Sequence, residues 1–365
     1  MLPRWAGRPL TFRIGRDPLR CSAWSPVPRS LRSLTRRRPR HAGAVTDLLG
    51  DPNLLRCADF ARAESLAPAG SAGTWRGIVA LELPLPWPRD IVDHPDVAPA
   101  AGDLAAAGLR LQALVPDPAR SLEVRRLFTC VRPAGPFRAY DATEWVLPAT
   151  DAAGTLAALS AAVSGDAAAL DGVPARRVAD GDGAGRQVLV CTHGVRDTCC
   201  GAQGTRLAAA LPGLGAGVRS WRTSHTGGHR FAPTALVLPE GTAWAYLDID
   251  TLVGVVDRTL DPRVAQRHYR GCTGLDGPEV QAADGAALGA AGWAWLDHTR
   301  AGTVVERDGA TARVRLEGTA PDGTRTVFDA EVETVRTMPV PDCGRPVAEA
   351  KKSAPELAVS RLDAV

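Results

Sequence analysis

A chain of 365 residues, 45% apolar and 23% charged, suits roughly two domains of ~100–200 residues each and excludes collagen, coiled-coil and wholly disordered classes. Gly, Pro or charge breaks every Ala-rich stretch before the about 18 apolar residues of a membrane-spanning helix accumulate, so no span is expected. The net charge of +3 divides into +10 over residues 1–42, where eleven Arg face the single acid Asp17, and −7 beyond, an acidic body without the basic face that nucleic acid requires.

The Arg-rich head contains no apolar run of the kind a secretory signal needs. It fits a disordered basic arm, a transit-like sequence, or upstream sequence translated from an early start codon. Lys351 and Lys352 are the sole lysines, which points to a GC-rich coding sequence and favours the last of these, with natural translation beginning near Val45. Residues 1–44 are therefore set apart from the fold.

A first α/β region is expected over residues 45–179. Its strands are Gly77 to Leu83, Leu109 to Val115, Ser121 to Phe128 and Phe137 to Leu147, each rich in branched or alternating apolar residues. Asp151 to Ser164 reads as an Ala/Leu-rich helix with an Asp cap. The Gly/Asp-rich run from Ala179 to Arg186 is a loop and a domain boundary. Its glycines precede a strand, and those of Leu211 to Val218 are followed by one, so neither set has the strand-then-helix context of a dinucleotide-binding motif.

A second α/β unit is expected over residues 180–300. A strand Gln187 to Cys191 leads through the loop Thr192 to Cys200 into a helix from Ala202 to Leu211. A strand Val218 to Arg222, a polar loop Thr223 to Phe231 and strands Thr234 to Leu238 and Ala243 to Leu247 follow. Asp261 and Pro262 make an N-cap and N1 pair for a short helix that Gly271 ends, and Pro278 starts another. Two β-runs around Asp308-Gly309 and a third from Thr324 to Arg336 form a β meander over residues 301–345, leaving 346–365 as a loose polar tail.

Eight cysteines in a chain without a secretory signal imply a reducing compartment and a cytoplasmic protein. Cys21, Cys57, Cys130, Cys272 and Cys343 are scattered singly and read as small buried apolar residues. Cys191, Cys199 and Cys200 crowd one loop, and His225 and His229 lie in the next. Cys-x8-Cys with His-x3-His supplies two thiolates and two imidazoles at one end of a sheet. The His spacing suits structural zinc, whereas the wide Cys interval can wrap something larger than one ion. The same donor set serves Rieske [2Fe-2S] centres, but those alternate Cys and His within each loop, which this chain does not. Buried inert thiols, a strained vicinal Cys199–Cys200 disulfide and a nucleophile made of Cys191 and His193 are the competing readings.

The stretch VCTHGVRDTCCG, followed by SHTGGHRFAPTALVLPEGTAWAYLD, resembles the sucrase/ferredoxin-like family, which includes the fungal actin-patches-distal protein. The likeness extends to Cys57 to Asp90, with GTW and LELPLPWPRD, and to YRGCTGLDGPEVQAAD at Tyr269 to Asp284, spanning about Leu55 to Cys343. It implies a thioredoxin-like ferredoxin domain, here with an additional N-terminal α/β region and a small C-terminal β meander. It further implies a [2Fe-2S] cluster held by Cys191, Cys200, His225 and His229, with Cys199 a spare thiol. The expected function is electron transfer or redox sensing with an unidentified redox partner protein, an electron carrier more than a catalyst. A zinc-stabilised structural protein and a cluster-free thioredoxin-like thiol enzyme are the alternatives. Arg196, Arg222 and Arg230 flank the ligands as candidates for charge compensation or partner docking. Asp248 and Asp250 have the i, i+2 spacing of paired strand carboxylates, but Asp250 reads as a helix N-cap and no aromatic sugar platform surrounds it, which argues against a glycosidase.

Overall fold

The runs GIVALE and RQVLVC are almost unbroken by polar residues, the pattern of strands covered on both faces. In the computed structural model, which describes residues 56–117, 123–178, 185–211, 213–215 and 217–365, they are the central strands β1 (Gly77–Glu82) and β6 (Arg186–Cys191). The Arg-rich head, the loop at 179–184 and Ser121 lie outside the described residues.

Each central strand has a parallel neighbour reached by a helical crossover: β2 (Leu109–Leu114) beside β1, and β7 (Val218–Thr223) beside β6. On its other side each has antiparallel strands. These are β3 (Val124–Val131), β4 (Asp141–Pro148) and β5 (Arg176–Arg177) in the first half, and β8 (Ala235–Leu238), β9 (Thr242–Trp244) and β10 (Tyr269–Cys272) in the second. The ten-stranded order is β10-β9-β8-β6-β7-β2-β1-β3-β4-β5. Counted outward from the join, both halves read second, first, third, fourth and fifth strand. The halves therefore repeat one topology. They pair antiparallel at Leu114↔Thr223, the last residues of β2 and β7, so the C-terminal ends of the parallel strands of both halves meet at the middle of the sheet.

The helices are α1 (Cys57–Ala63), α2 (Ala101–Ala106), α3 (Ala152–Val163), α4 (Thr205–Ala210), α5 (Ile249–Val256), α6 (Pro262–His268) and α7 (Pro278–Ala291). A second sheet, β11 (Thr299–Asp308), β12 (Thr311–Thr319), β13 (Arg325–Pro339) and β14 (Ser353–Ala364), is an antiparallel meander. One core joins the second half of the large sheet to α7 and the meander through Val188, Trp244, Tyr269, Trp295, Leu316 and Phe328. Another lies under α2 and α3 around Leu81, Leu111, Leu127 and Leu156. The protein is thus mixed α/β with a large sheet and a separate small antiparallel one, as the sequence reading expects.

Several expectations need correction. The tail from Pro346 is not loose: β14 pairs along β13 and buries Leu357, a short apolar anchor hidden in a polar edge strand. The helix after Pro262 ends at His268, and Gly271 sits inside β10 at φ 137°, where its missing side chain makes room for Gln281. The N-cap of α5 is Asp248, which accepts from the Thr251 amide at 2.8 Å, whereas Asp250 lies in the first turn. Asp151 stands at the start of α3 but receives the Thr155 hydroxyl rather than a backbone N–H. Asp261 caps α6 as expected.

Candidate metal centre

Parallel strands in register deliver the loops that follow them to the same edge. Cys191, the last residue of β6, pairs with Thr223, the last residue of β7, so the cysteine loop and the histidine loop leave the sheet side by side. The cysteine loop then closes tightly. Asp197 turns its carboxylate back onto the amides of Cys199 and Cys200, at 2.9 and 3.3 Å. Cys200 opens a π-turn, Cys200–Gly204, that leads into α4. A Cβ on Gly204 would lie 1.8 Å from the Cys191 carbonyl oxygen, so only glycine lets this turn settle against the end of β6.

The ligand atoms of Cys191, Cys200 and His225 come within 4.8 Å of one another, with both cysteines buried. Cys191 is pulled well below the usual thiol range by hydrogen bonds from Cys200 and His225, which outweigh its burial. The partner sulfur of Cys200 is pushed correspondingly up. His225 Nδ1 is buried without a hydrogen-bond partner among the described residues, while the His225 carbonyl receives Arg110 at 2.9 Å.

His229 follows Gly227 and Gly228, both left-handed, and begins a short 3-10 turn. The fully buried Arg270 fills the space a Gly228 side chain would need and donates to the Gly227 carbonyl at 3.2 Å. The His225 and His229 rings have centroids 5.9 Å apart. His229 Nδ1 faces Asp197 Oδ2 at 3.0 Å and the Cys57 sulfur at 3.3 Å. Burial would raise the Asp197 carboxyl, but the hydrogen bond and charge of His229, with Cys57 and the Cys200 amide, bring it down to about 2.

Cys199 points the other way. Successive helical residues project about 100° apart, so neighbouring cysteines at the start of a helix serve different surroundings. The Cys199 sulfur lies 3.2 Å from that of Cys343, which in turn lies 3.5 Å from Cys57. Cys57 and Cys343, which stand alone in the sequence, are therefore gathered with Cys199 and Asp197 into a second group whose ligand atoms all fall within 4.8 Å. Their chain separations of 286 and 144 residues leave no spacing motif to find. Asp197 is likewise invisible in sequence except as a cap-like acid two residues before a cysteine.

The flanking candidates play unequal parts. His193 bonds the Pro88 carbonyl at 2.9 Å and packs edge-on to Trp87, and burial lowers its basicity. Its bonded ring nitrogen thus faces the first half of the sheet. Arg196 pairs with Asp90, and Arg230 is buried over the Phe231 ring, both tied up structurally. Arg222 is exposed on β7. A cleft of about 440 Å³ opens over His225 and His193, lined by Arg89, Arg110 and Arg196.

Two thiols and one imidazole, from Cys191, Cys200 and His225, form a donor set that fits a soft or borderline metal centre, whereas His229 falls outside this group and turns its Nδ1 to Asp197 and Cys57. The hydrogen bond from His229 Nδ1 to Asp197 is the carboxylate–histidine arrangement that orients a ligating imidazole. Among the described residues no helix is long and apolar enough to cross a membrane. No curated protein and no solved structure gives a significant match to the chain. A family model described as sucrase/ferredoxin-like matches residues 68–271, narrower than the Leu55 to Cys343 stretch of motif resemblance but more than half of the chain. The chain belongs to the sucrase/ferredoxin-like family.

Proposed function

We propose that the chain is a [2Fe-2S] redox protein, serving electron transfer or redox sensing, with Cys191, Cys200, His225 and His229 as ligands. The observation that carries this reading is the convergence of Cys191, Cys200 and His225 within 4.8 Å, with the His229 ring centred 5.9 Å from that of His225. When bound, the cluster would supply one-electron chemistry at a potential above that of all-cysteine ferredoxins, because neutral imidazoles replace two thiolates.

The residues of the chain do the rest. Asp197 receives His229 Nδ1–H, which leaves Nε2 as the nitrogen free to ligate. Burial of Cys191 and Cys200 keeps water from the thiolates, and the same burial speaks against the thiol-enzyme reading, since a nucleophilic cysteine must be reached. With Arg196 paired to Asp90, the remaining arginines Arg89, Arg110 and Arg270 leave the cleft over His225 positive, a surface suited to an acidic partner or to offsetting the charge of the centre.

Anaerobically purified protein should be red-brown, contain iron and acid-labile sulfide in equal amounts, and lose its colour in Cys191→Ala and His225→Ala. Colourless protein with zinc bound at these residues would leave a structural metalloprotein and overturn the redox reading.

A further inference from the structure

We propose that Cys57, Cys199, Cys343 and Asp197 form a second, separate site that holds one zinc-class divalent ion. The site uses other residues than the cluster ligands, and two of its four members, Cys57 and Cys343, lie outside the residues matched by the family model.

Its four ligand atoms, all within 4.8 Å of one another, have the spacing that a tetrahedral ion needs. The sulfur pairs Cys199–Cys343 and Cys57–Cys343 are 3.2 and 3.5 Å apart, and Asp197 oxygens lie 3.4 Å from Cys57 and 3.6 Å from Cys343. Zinc bonds of about 2.3 Å to sulfur and about 2.0 Å to oxygen give tetrahedral edges of about 3.8 and 3.5 Å. The observed edges need only a small outward adjustment. Cys57 is 0% exposed, Cys199 1% and Asp197 5%, with Cys343 half-buried at the edge of the group, and thiol hydrogen bonds to Asp197 and between the sulfurs hold the four together without an ion. Without a cation the group must hold protons against the negative charge of Asp197. The Cys57 amide also donates to the Cys343 sulfur at 3.4 Å, the backbone support that ligating thiolates receive.

Charge is balanced from outside. Three thiolates and one carboxylate exceed the charge of a divalent ion by two, and on the cavity that reaches Cys343 and Asp197 the cations Arg89, Arg196, Arg345 and Lys351 outnumber the further acid Asp342. Soft thiolates select zinc over the hard cations calcium and magnesium. The ion would fasten the start of α1 and the connection between β13 and β14 to the loop that carries Cys200. Asp197 joins the two sites, since its carboxylate faces the sulfurs and also receives His229.

The test is metal analysis of the full chain, reading iron and zinc together. Wild-type protein should hold one zinc per chain, lost in Cys57→Ser and Cys343→Ser but kept in Cys191→Ser, which instead loses iron. Zinc that leaves with Cys191→Ser and stays in Cys57→Ser and Cys343→Ser would overturn the proposal. So would wild-type protein free of zinc in which Cys57, Cys199 and Cys343 alkylate or form a disulfide. If the Cys57 and Cys343 variants fail to fold, Co(II) incorporated into the iron-free Cys191→Ser protein decides: intense visible ligand-field bands with the charge transfer of three thiolates support the site, and their absence overturns it. Because iron and zinc are read separately, failure here and failure of the cluster reading give different results.

Discussion

Gly204 and Asp197 set the positions of the ligands more than the ligands do themselves. A methyl group at Gly204 would meet the backbone oxygen of Cys191 at 1.8 Å, and no flexible side chain is there to give way. Gly204→Ala must therefore push the π-turn away from β6. We expect a stability loss of about 1–3 kcal/mol, typical of overpacking, together with a lower iron content per chain. Thermal melting and iron analysis check both, and a variant with wild-type values for each would contradict this account of the turn. The meeting of Cys191, Cys200 and His225 was legible in sequence because adjacent loops after adjacent strands leave a spacing pattern, whereas the turn of His229 Nδ1 toward Asp197 and Cys57 was not. Cys57, Cys343 and Asp197 were not, since each reaches the centre through tertiary packing across more than a hundred residues or through a loop turn that has no signature.

At the level of elements, α7 is the joint between the large sheet and the meander. Asp284 on α7 receives Arg300 of β11 at 2.8 and 2.9 Å, the Tyr269 hydroxyl at 2.6 Å and the Trp295 ring N–H at 2.9 Å. Asp284 and Arg300 are both fully buried. Removing one partner leaves the other charge uncompensated in the interior, so Asp284→Ala should destabilise by about 3–5 kcal/mol. Urea titration measures this; a loss under about 1 kcal/mol would mean that water reaches Arg300 and that the joint is not sealed. The central strands were readable because apolar runs covered on both faces have few alternatives. β14 was missed because an edge strand needs little apolar pattern: Leu357 is its one deeply buried side chain, while β13 supplies the hydrogen-bonding template. β10 was hidden behind Gly271, whose φ of 137° is a packing requirement against Gln281 rather than a helix stop.

For the whole molecule, the two halves of the large sheet share one strand order and meet at the C-terminal ends of their parallel strands. The second half brings Cys191, Cys200, His225 and His229. The first half has neither cysteine nor histidine pairs in the corresponding loops and instead braces the centre, through Pro88 to His193, Asp90 to Arg196 and Arg110 to the His225 carbonyl. Sequence reading gave this first region no role because its contribution is made of backbone carbonyls and arginines, which carry no motif. The charge division reads differently in this light. The +10 of the head lies outside the described residues, and the positive lining of the cleft over His225 comes from arginines of the acidic body itself.

The central claim, a cluster held by two cysteines and two histidines, is tested most directly by pulsed electron paramagnetic resonance of the reduced protein carrying ¹⁵N-labelled histidine. The account predicts a [2Fe-2S] signal coupled to two imidazole nitrogens, one from His225 and one from His229. A protein with no such signal, or a cluster signal without histidine nitrogen coupling, would contradict it.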